Sequence, residues 1–534
     1  MKKYLLVFIL LFIQQIIPLQ SQYIGKIFID RRDVFDSTQS DWFFAAKFAN
    51  SLHATTKQFL IEDELLFNEA DEVDEELINE TERNLRSTGL FSMVKVTLKP
   101  LKNGDYDVDV LTQDKWSLQP YVLYEFGGKE YHLGAGALEL NLFGTGFQIN
   151  GQGYYRSENS IGWQGMLELQ QRRLFRTPFS FYGMLQANKI RTDRQINISK
   201  NYLTLEDKNS YGISLLNSYG SFISYPNDTT TLLMPYKQLK GTLFYSLAWK
   251  SEDRVFLTLL GQADKVNRGK PEYAQAYDNS ARLLIGFSSV ADKYVPVEKV
   301  NTFMTEDLSI GGWGTAILGK TFALDSTGQS LFYVAAQGEK SVLFENLYLF
   351  GQATGASAFT HTRGYYTYEE FLGLGFYKFS PDMIVGARLR QQTVWNWFAV
   401  RQLILDNNFG LRGYRLNQLS GDNRIVANLE FRTFSDISLW IFRLSGALFY
   451  DIGSVWNQST PLFNTRWHSA AGFGIRFHNM KASTDREVLR FDFAYNFDER
   501  RFAEIIFSSS QLFSFFSPHT FKLPELYGME FDGQ

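Results

Sequence analysis

Cysteine is missing from all 534 residues, which leaves no disulfide framework, no thiol chemistry and no thiol-linked lipid anchor. Histidine is scarce: His53, His132, His361, His468, His478 and His519 lie far apart, with no spacing that gathers metal ligands. An excess of one charge is also lacking. With 53 Lys+Arg against 57 Asp+Glu the formal net charge is -4, and no long basic run points to nucleic acid. After residue 21 no segment approaches the ~18 uninterrupted apolar residues of a membrane helix. A mean hydropathy of -0.21 argues against a helical membrane protein as well. What is plentiful is aromatic: 16 % of the chain, with 48 Phe and 28 Tyr.

The chain opens "MKKYLLVFILLFIQQIIPLQSQ". Two lysines, a short apolar stretch interrupted by Gln14-Gln15 and a polar close have the layout of a secretory signal peptide spanning residues 1–21. The mature chain is then either exported and soluble, or a β-barrel in an outer membrane.

Residues 22–115 mix helix and strand signals. "IGKIFI" is an apolar strand, and "DEELINETERNLR" sets Leu77, Ile78, Thr81 and Leu85 along one helical stripe, with Gly89 as its stop. "FSMVKVTLKP" and "DYDVDVL" alternate about Asn103-Gly104, a hairpin signal in which both turn positions take positive φ. Val94, Val96 and Leu98 share a face with Val108 and Val110, while Asp105, Asp107 and Asp109 face water. The expectation is a small α+β domain.

From about Trp116 the helix signal fades and alternating runs of about ten residues take over, separated by polar turns. "GTLFYSLAWK" lines up Leu243, Tyr245, Leu247 and Trp249; "LRFDFAYNF" sets Leu489, Phe491, Phe493, Tyr495 and Phe497 opposite Arg490, Asp492 and Asn496. Alternation alone also suits a soluble sandwich. Large aromatics on the apolar face, and runs the length of a tilted membrane crossing, favour a transmembrane barrel. A barrel over 116–516 has room for roughly sixteen strands on the usual dimensions. The fold class expected is mainly β: an antiparallel transmembrane barrel after one small α+β domain, with a tail over 517–534.

One stretch poses a sharper question. In "NNFGLRGYRLNQLSGDNRIVANLEFR", 407–432, apolar Ile425, Ala427, Leu429 and Phe431 fall on one face and Arg424, Asn428, Glu430 and Arg432 on the other, directly after an arginine-bearing loop. A basic residue on the lipid face at mid-depth costs about 2–4 kcal/mol, and an acidic one somewhat less. The charged row therefore points into the lumen. In "LFYDIGSVW", Asp451 shares a face with Phe449 and Gly453.

Taken together, these pieces resemble the BamA/TamA-like outer-membrane barrels that carry polypeptide-transport-associated (POTRA) domains. The likeness runs through Thr55–Val96 with its Leu-Arg-x-x-Gly-Leu-Phe step at 85–91, "LELNLFGTG" at 138–146, "TEDLSIGGWG" at 305–314, "GLRGY" at 410–414 and "FYDIGSVW" at 449–456. It implies an inward-folding loop carrying Arg412, Gly413 and Tyr414, with Asp451 and Glu430 as carboxylate partners of Arg412. It further implies a bacterial outer-membrane location with the POTRA-like domain in the periplasm, and a role in inserting, assembling or translocating polypeptides. Expected partners are outer-membrane lipid, unfolded outer-membrane or secreted polypeptides and periplasmic accessory proteins. A dedicated exporter or pore for one protein or for lipid, or a structural surface-antigen barrel, is the alternative. General assembly members carry several POTRA modules where this chain has room for one, and they end on their last strand where this chain continues.

No enzyme or cofactor is expected. "GAGALELNLFGTG" lacks the helix a phosphate loop needs, and Glu306-Asp307 would point to opposite faces of a strand.

Overall fold

The computed structural model describes residues 22–34, 53–127, 130–157, 161–204, 207–227, 230–250, 253–270, 277–303, 305–326, 329–396, 403–439, 442–479, 488–503, 506–508 and 519–528. The expected signal peptide, 1–21, lies outside them. The chain divides into two compact units, 1–119 with 139–148, and 120–138 with 149–534.

The smaller unit runs β1 (Ile24–Arg32), α1 (Gln58–Glu62), α2 (Glu75–Ser87), β2 (Phe91–Pro100) and β3 (Tyr106–Asp114). Its sheet order is β1-β3-β2, with β1 parallel and β2 antiparallel to β3. Asp74 caps α2, its carboxylate accepting the Glu76 and Leu77 N–H groups, and Gly89 (φ 74°) follows the helix end. Ile78 and Leu85 of α2 pack with Ile24, Ile61, Val108 and Val110, which makes this unit a core of its own. The hairpin departs from the expected turn: Gly104 has φ 94° while Asn103 stays out of the positive region. Asn103 instead uses its side chain, donating to Asp105 Oδ2 at 2.7 Å and accepting the Asp105 N–H at 3.2 Å.

The larger unit is built on one antiparallel sheet whose strands follow chain order from Leu118–Gly127 onward. Counting the interrupted last strand (Arg501–Phe502 and Ile506–Ser508, both paired with Val488–Asn496) once, the described residues form 20 strands of this sheet. Sixteen was too few. Strands such as Phe147–Arg156 and Arg191–Lys200 have the expected 10 residues, and turns as tight as Glu345-Asn346 and Pro381-Asp382 join others, so the connections consume less chain than assumed. Later strands exceed the expected length, reaching 19 residues in Ser280–Glu298 and 21 in Thr230–Lys250. Between the first strand and the last, the described residues make a single pair, Phe126 opposite Phe507.

Burial alternates along the strands, buried and half-buried residues succeeding one another through Val488–Asn496. The outer face is apolar, with Leu243 60 % exposed, Phe287 57 %, Leu318 63 % and Leu448 59 %. Register joins these into a belt: Leu243 lies beside Ile213, Phe287 beside Leu257, Tyr450 beside Leu429 and Phe473 beside Leu448. The inner face carries buried polar and charged groups, among them Thr258, Arg282, Glu339, Arg424 and Asp492. No described helix is long and apolar enough to cross a membrane.

Candidate functional site

The site is a loop seated against the inner face of the strands Asn423–Leu439, Phe442–Trp456, His468–Asn479 and Val488–Asn496. Its base is a two-stranded ribbon, Leu403–Leu405 against Leu419–Gly421. Asp406 organises the turn between them: Oδ1 accepts the Asn408 and Phe409 N–H groups at 2.8 and 3.2 Å, and Oδ2 accepts that of Asn417 at 2.7 Å. Burial raises the Asp406 carboxyl to about 6, against the pull of these donors. Arg424, on the first of the four strands, reaches up to donate to the Ile404 carbonyl and so ties the ribbon to the wall.

Arg412 sits at the loop tip and is fully buried. Its Nε and Nη2 donate to the two oxygens of Asp451, both at 2.7 Å, and Nη1 donates to Glu430 Oε1 at 2.6 Å. The bidentate fork suits a planar guanidinium and would not suit a lysine. Its Cζ lies 3.5 Å from the centroid of the Phe449 ring, which provides a cation–π floor. Burial alone would lower the guanidinium's proton affinity; the Asp451 and Glu430 carboxylates outweigh it and hold the group charged.

Phe449, Asp451 and Gly453 follow at every second position of one strand, and each serves the loop. Phe449 carries the guanidinium and Asp451 pairs with it. Gly453 leaves space: a Cβ there would stand 3.1 Å from Leu405 Cδ2 and 2.9 Å from the Ile425 carbonyl. Two further glycines make room in the same way. A Cβ on Gly472 would lie 2.6 Å from Phe449 Cζ, and one on Gly474 would lie 2.1 Å from both Arg476 Nη1 and Asp492 Oδ1.

Gly413 has φ 82°, open to glycine and strained for other residues, and a Cβ there would approach Ala494 Cβ to 3.1 Å. Tyr414 is buried; its hydroxyl donates to Asp498 Oδ2 at 3.0 Å, accepts the Ser469 N–H at 3.2 Å and lies 3.2 Å from the Ser469 carbonyl. Against the burial that would raise it, hydrogen bonds from His468 and Tyr414 hold the Asp498 carboxyl below its usual range.

The sequence reading missed part of the network. Asp492 stands 3.5 Å from Arg412 Nη1 and takes Arg476 Nη1 at 2.5 Å, with Arg490 Nε at 3.4 Å. Arg432 Nε donates to the second Glu430 oxygen at 2.8 Å, and Asn428 Nδ2 bridges the Gly410 carbonyl and Asp451 Oδ1 at 2.6 and 2.7 Å. Four guanidiniums and three carboxylates therefore share one buried patch. Their only advance signal was a place on the polar face of an alternating strand. The described residues include no cluster suited to a metal ion.

No family model matches the sequence, and no curated protein matches it either. Among solved structures, the chain is similar to BamA from Haemophilus ducreyi lacking POTRA domains 1–3, with 13 % identity, a TM-score of 0.46, and coverage of 91 % of this chain and 84 % of that one. It is also similar to CdiB from Acinetobacter baumannii, with 11 % identity, a TM-score of 0.42 and coverage of 90 % and 73 %. For CdiB from Escherichia coli the identity is 9 %, the TM-score 0.44 and the coverage 89 % and 73 %. Likenesses of this strength say nothing by themselves about what the chain does.

Proposed function

We propose that this chain is a bacterial outer-membrane β-barrel with one POTRA-like periplasmic module, and that it inserts, assembles or translocates polypeptides at that membrane. The observation that carries the reading is the Arg412 loop, pinned to inward carboxylates on strands whose outward side chains form a continuous apolar belt. A soluble monomer rarely leaves apolar patches beyond a few hundred Å² open to water. Lipid accommodates that belt, and a closed sheet leaves no unpaired backbone in the acyl region. The β–α–α–β–β order of the smaller unit supports the POTRA-like assignment. Either edge of its three-stranded sheet offers backbone groups to an extended chain, a mode of capture that demands little of sequence.

On this reading the mechanism lies at the seam between the first and last strands. Among the described residues the last strand pairs with Val488–Asn496 at five positions and with the first strand at Phe126 and Phe507. Parting the first and last strands exposes two strand edges, each a template for an incoming strand. Lipid, unfolded polypeptides and periplasmic accessory proteins are the partners this reading implies; it needs no cofactor and no enzymatic step.

The second reading is a dedicated exporter or pore, for one protein or for lipid. Conditional depletion followed by quantitative proteomics of the outer-membrane fraction separates the two. A fall in many barrel proteins, with unfolded forms collecting in the periplasm, is the expected result for an assembly role. Loss of one or two surface components points to the dedicated exporter, and a lipid change alone to a lipid path.

A further inference from the structure

The larger unit has a second interior occupant. His519–Gly528, part of the stretch beyond the last strand, lies along the inner face of the long strands. Tyrosine hydroxyls hold its backbone. Tyr333 donates to the Glu525 carbonyl at 3.1 Å and accepts the Tyr527 N–H at 2.9 Å, while Tyr366 donates to the Tyr527 carbonyl at 3.0 Å. Such contacts read groups that every peptide carries. Two side-chain features add selectivity. Phe521 sits in an aromatic box of Tyr202, Phe256 and Trp313, with ring centroids at 5.2, 4.8 and 6.2 Å. Glu339, buried on the wall, takes Lys522 Nζ at 2.8 Å and faces His519 Nδ1 at 3.0 Å.

The segment covers one wall without filling the space. A cavity of about 1190 Å³ runs beside it, bounded by Thr520–Leu526 on one side and by Asp264, Arg268 and Arg282 on the other. That exceeds the roughly 300–1,000 Å³ of small-molecule pockets. Backbone-directed hydroxyls, an aromatic box and one buried carboxylate make a receptor for an extended peptide.

We propose that this wall is an acceptor site for an extended polypeptide segment bearing an aromatic residue followed by lysine, and that His519–Gly528 is its resident occupant, displaced when an incoming chain binds. The identity of the incoming chain rests on the polypeptide-handling reading above; the peptide site itself does not.

The experiment locks the occupant in place in the full chain. A Cβ on Gly286 would lie 3.1 Å from Pro524 Cβ, a few tenths of an ångström closer than a disulfide spans, so a small outward shift permits the bond, and the chain has no other cysteine. Gly286→Cys with Pro524→Cys, purified in detergent, is titrated with a fluorescent peptide of the sequence HTFKLPELYG. Oxidation is expected to weaken peptide binding at least tenfold and reduction to restore it, with Glu339→Gln weakening the reduced form severalfold. Truncation after Pro518 tests the same competition without cysteines: the truncated chain is expected to bind the peptide more tightly than the full chain, whose own segment competes for the site. Equal binding in both redox states, or failure of the disulfide to form in folded protein, overturns the site. A urea-unfolded outer-membrane barrel protein, diluted into the reduced sample, is expected to compete the peptide away. Peptide binding without that competition overturns the displacement by incoming chains and keeps the site, while failure to stay in lipid vesicles overturns the membrane reading alone.

Discussion

Two stretches of irregular backbone, Leu403–Gly421 and His519–Gly528, occupy the inner face of the same sheet and are held by opposite means. The loop is held by charge: a buried guanidinium shared among three carboxylates, with more arginines behind them. The segment is held by tyrosine hydroxyls on its backbone, a phenylalanine in an aromatic box and one carboxylate. Breaking a buried ion pair strands an uncompensated charge, whereas losing a hydroxyl–carbonyl bond costs about 1 kcal/mol once water replaces it. The loop is therefore part of the wall, and the segment resembles a ligand.

The largest effect expected is from Arg412→Ala. It leaves Asp451 and Glu430 buried without their main partner and should cost about 3–5 kcal/mol. Urea unfolding in detergent, with protease cleavage within 403–421, would register it. Unchanged unfolding and cleavage would put the loop in the same class as the segment. Asp451→Asn comes next, since it removes the charge beneath the bidentate fork and should cost about 2–4 kcal/mol in the same assay. Gly413→Ala, which adds a Cβ at φ 82° against Ala494, should cost about 1–3 kcal/mol and speed cleavage of the loop without exposing the segment.

Tyr333→Phe is the counterpart on the other side of the comparison. Removing a hydroxyl that both gives and receives a hydrogen bond should loosen His519–Gly528 by about 1–2 kcal/mol while leaving global unfolding unchanged. Hydrogen exchange at Tyr527 would read the difference. The smallest effect is a pH dependence. Burial holds the Asp406 carboxyl above its unfolded value, at about 6, so the folded loop binds this proton more readily than the unfolded chain. The cost of the buried charge is present above that pH and is relieved as pH falls through it. Between pH 7 and pH 5 the loop should gain about 1 kcal/mol relative to Asp406→Asn.

Alternation made one side of this comparison readable in the sequence. Period two placed Glu430 and Asp451 on inward faces, and the resemblance of the loop to a known motif, not the alternation, implied Arg412 as their partner. Asp492 and Arg476 also lie on polar faces, yet nothing local says that a loop tip reaches them. His519–Gly528 was harder still: it has no period, and its partners Tyr333 and Tyr366 lie 160 to 195 positions away. Strand count failed for another reason. Two-residue turns and ten-residue strands leave little polar sequence to mark each crossing, so length divided by an average strand undercounts.

Gly472 and Gly474 carry a consequence for how this surface can evolve. Neither contributes a side-chain contact; a Cβ on Gly472 would meet the Phe493 backbone carbonyl at 2.0 Å before the Phe449 ring at 2.6 Å, whereas one on Gly474 would meet only the Arg476–Asp492 pair at 2.1 Å. At Gly474 the obstacle is a pair of side chains that can withdraw, whereas at Gly472 it is the neighbouring strand's backbone, which no exchange of a side chain removes. Position 474 can therefore change once the Arg476–Asp492 pair has given way, whereas position 472 is held to glycine for as long as the two strands keep their register.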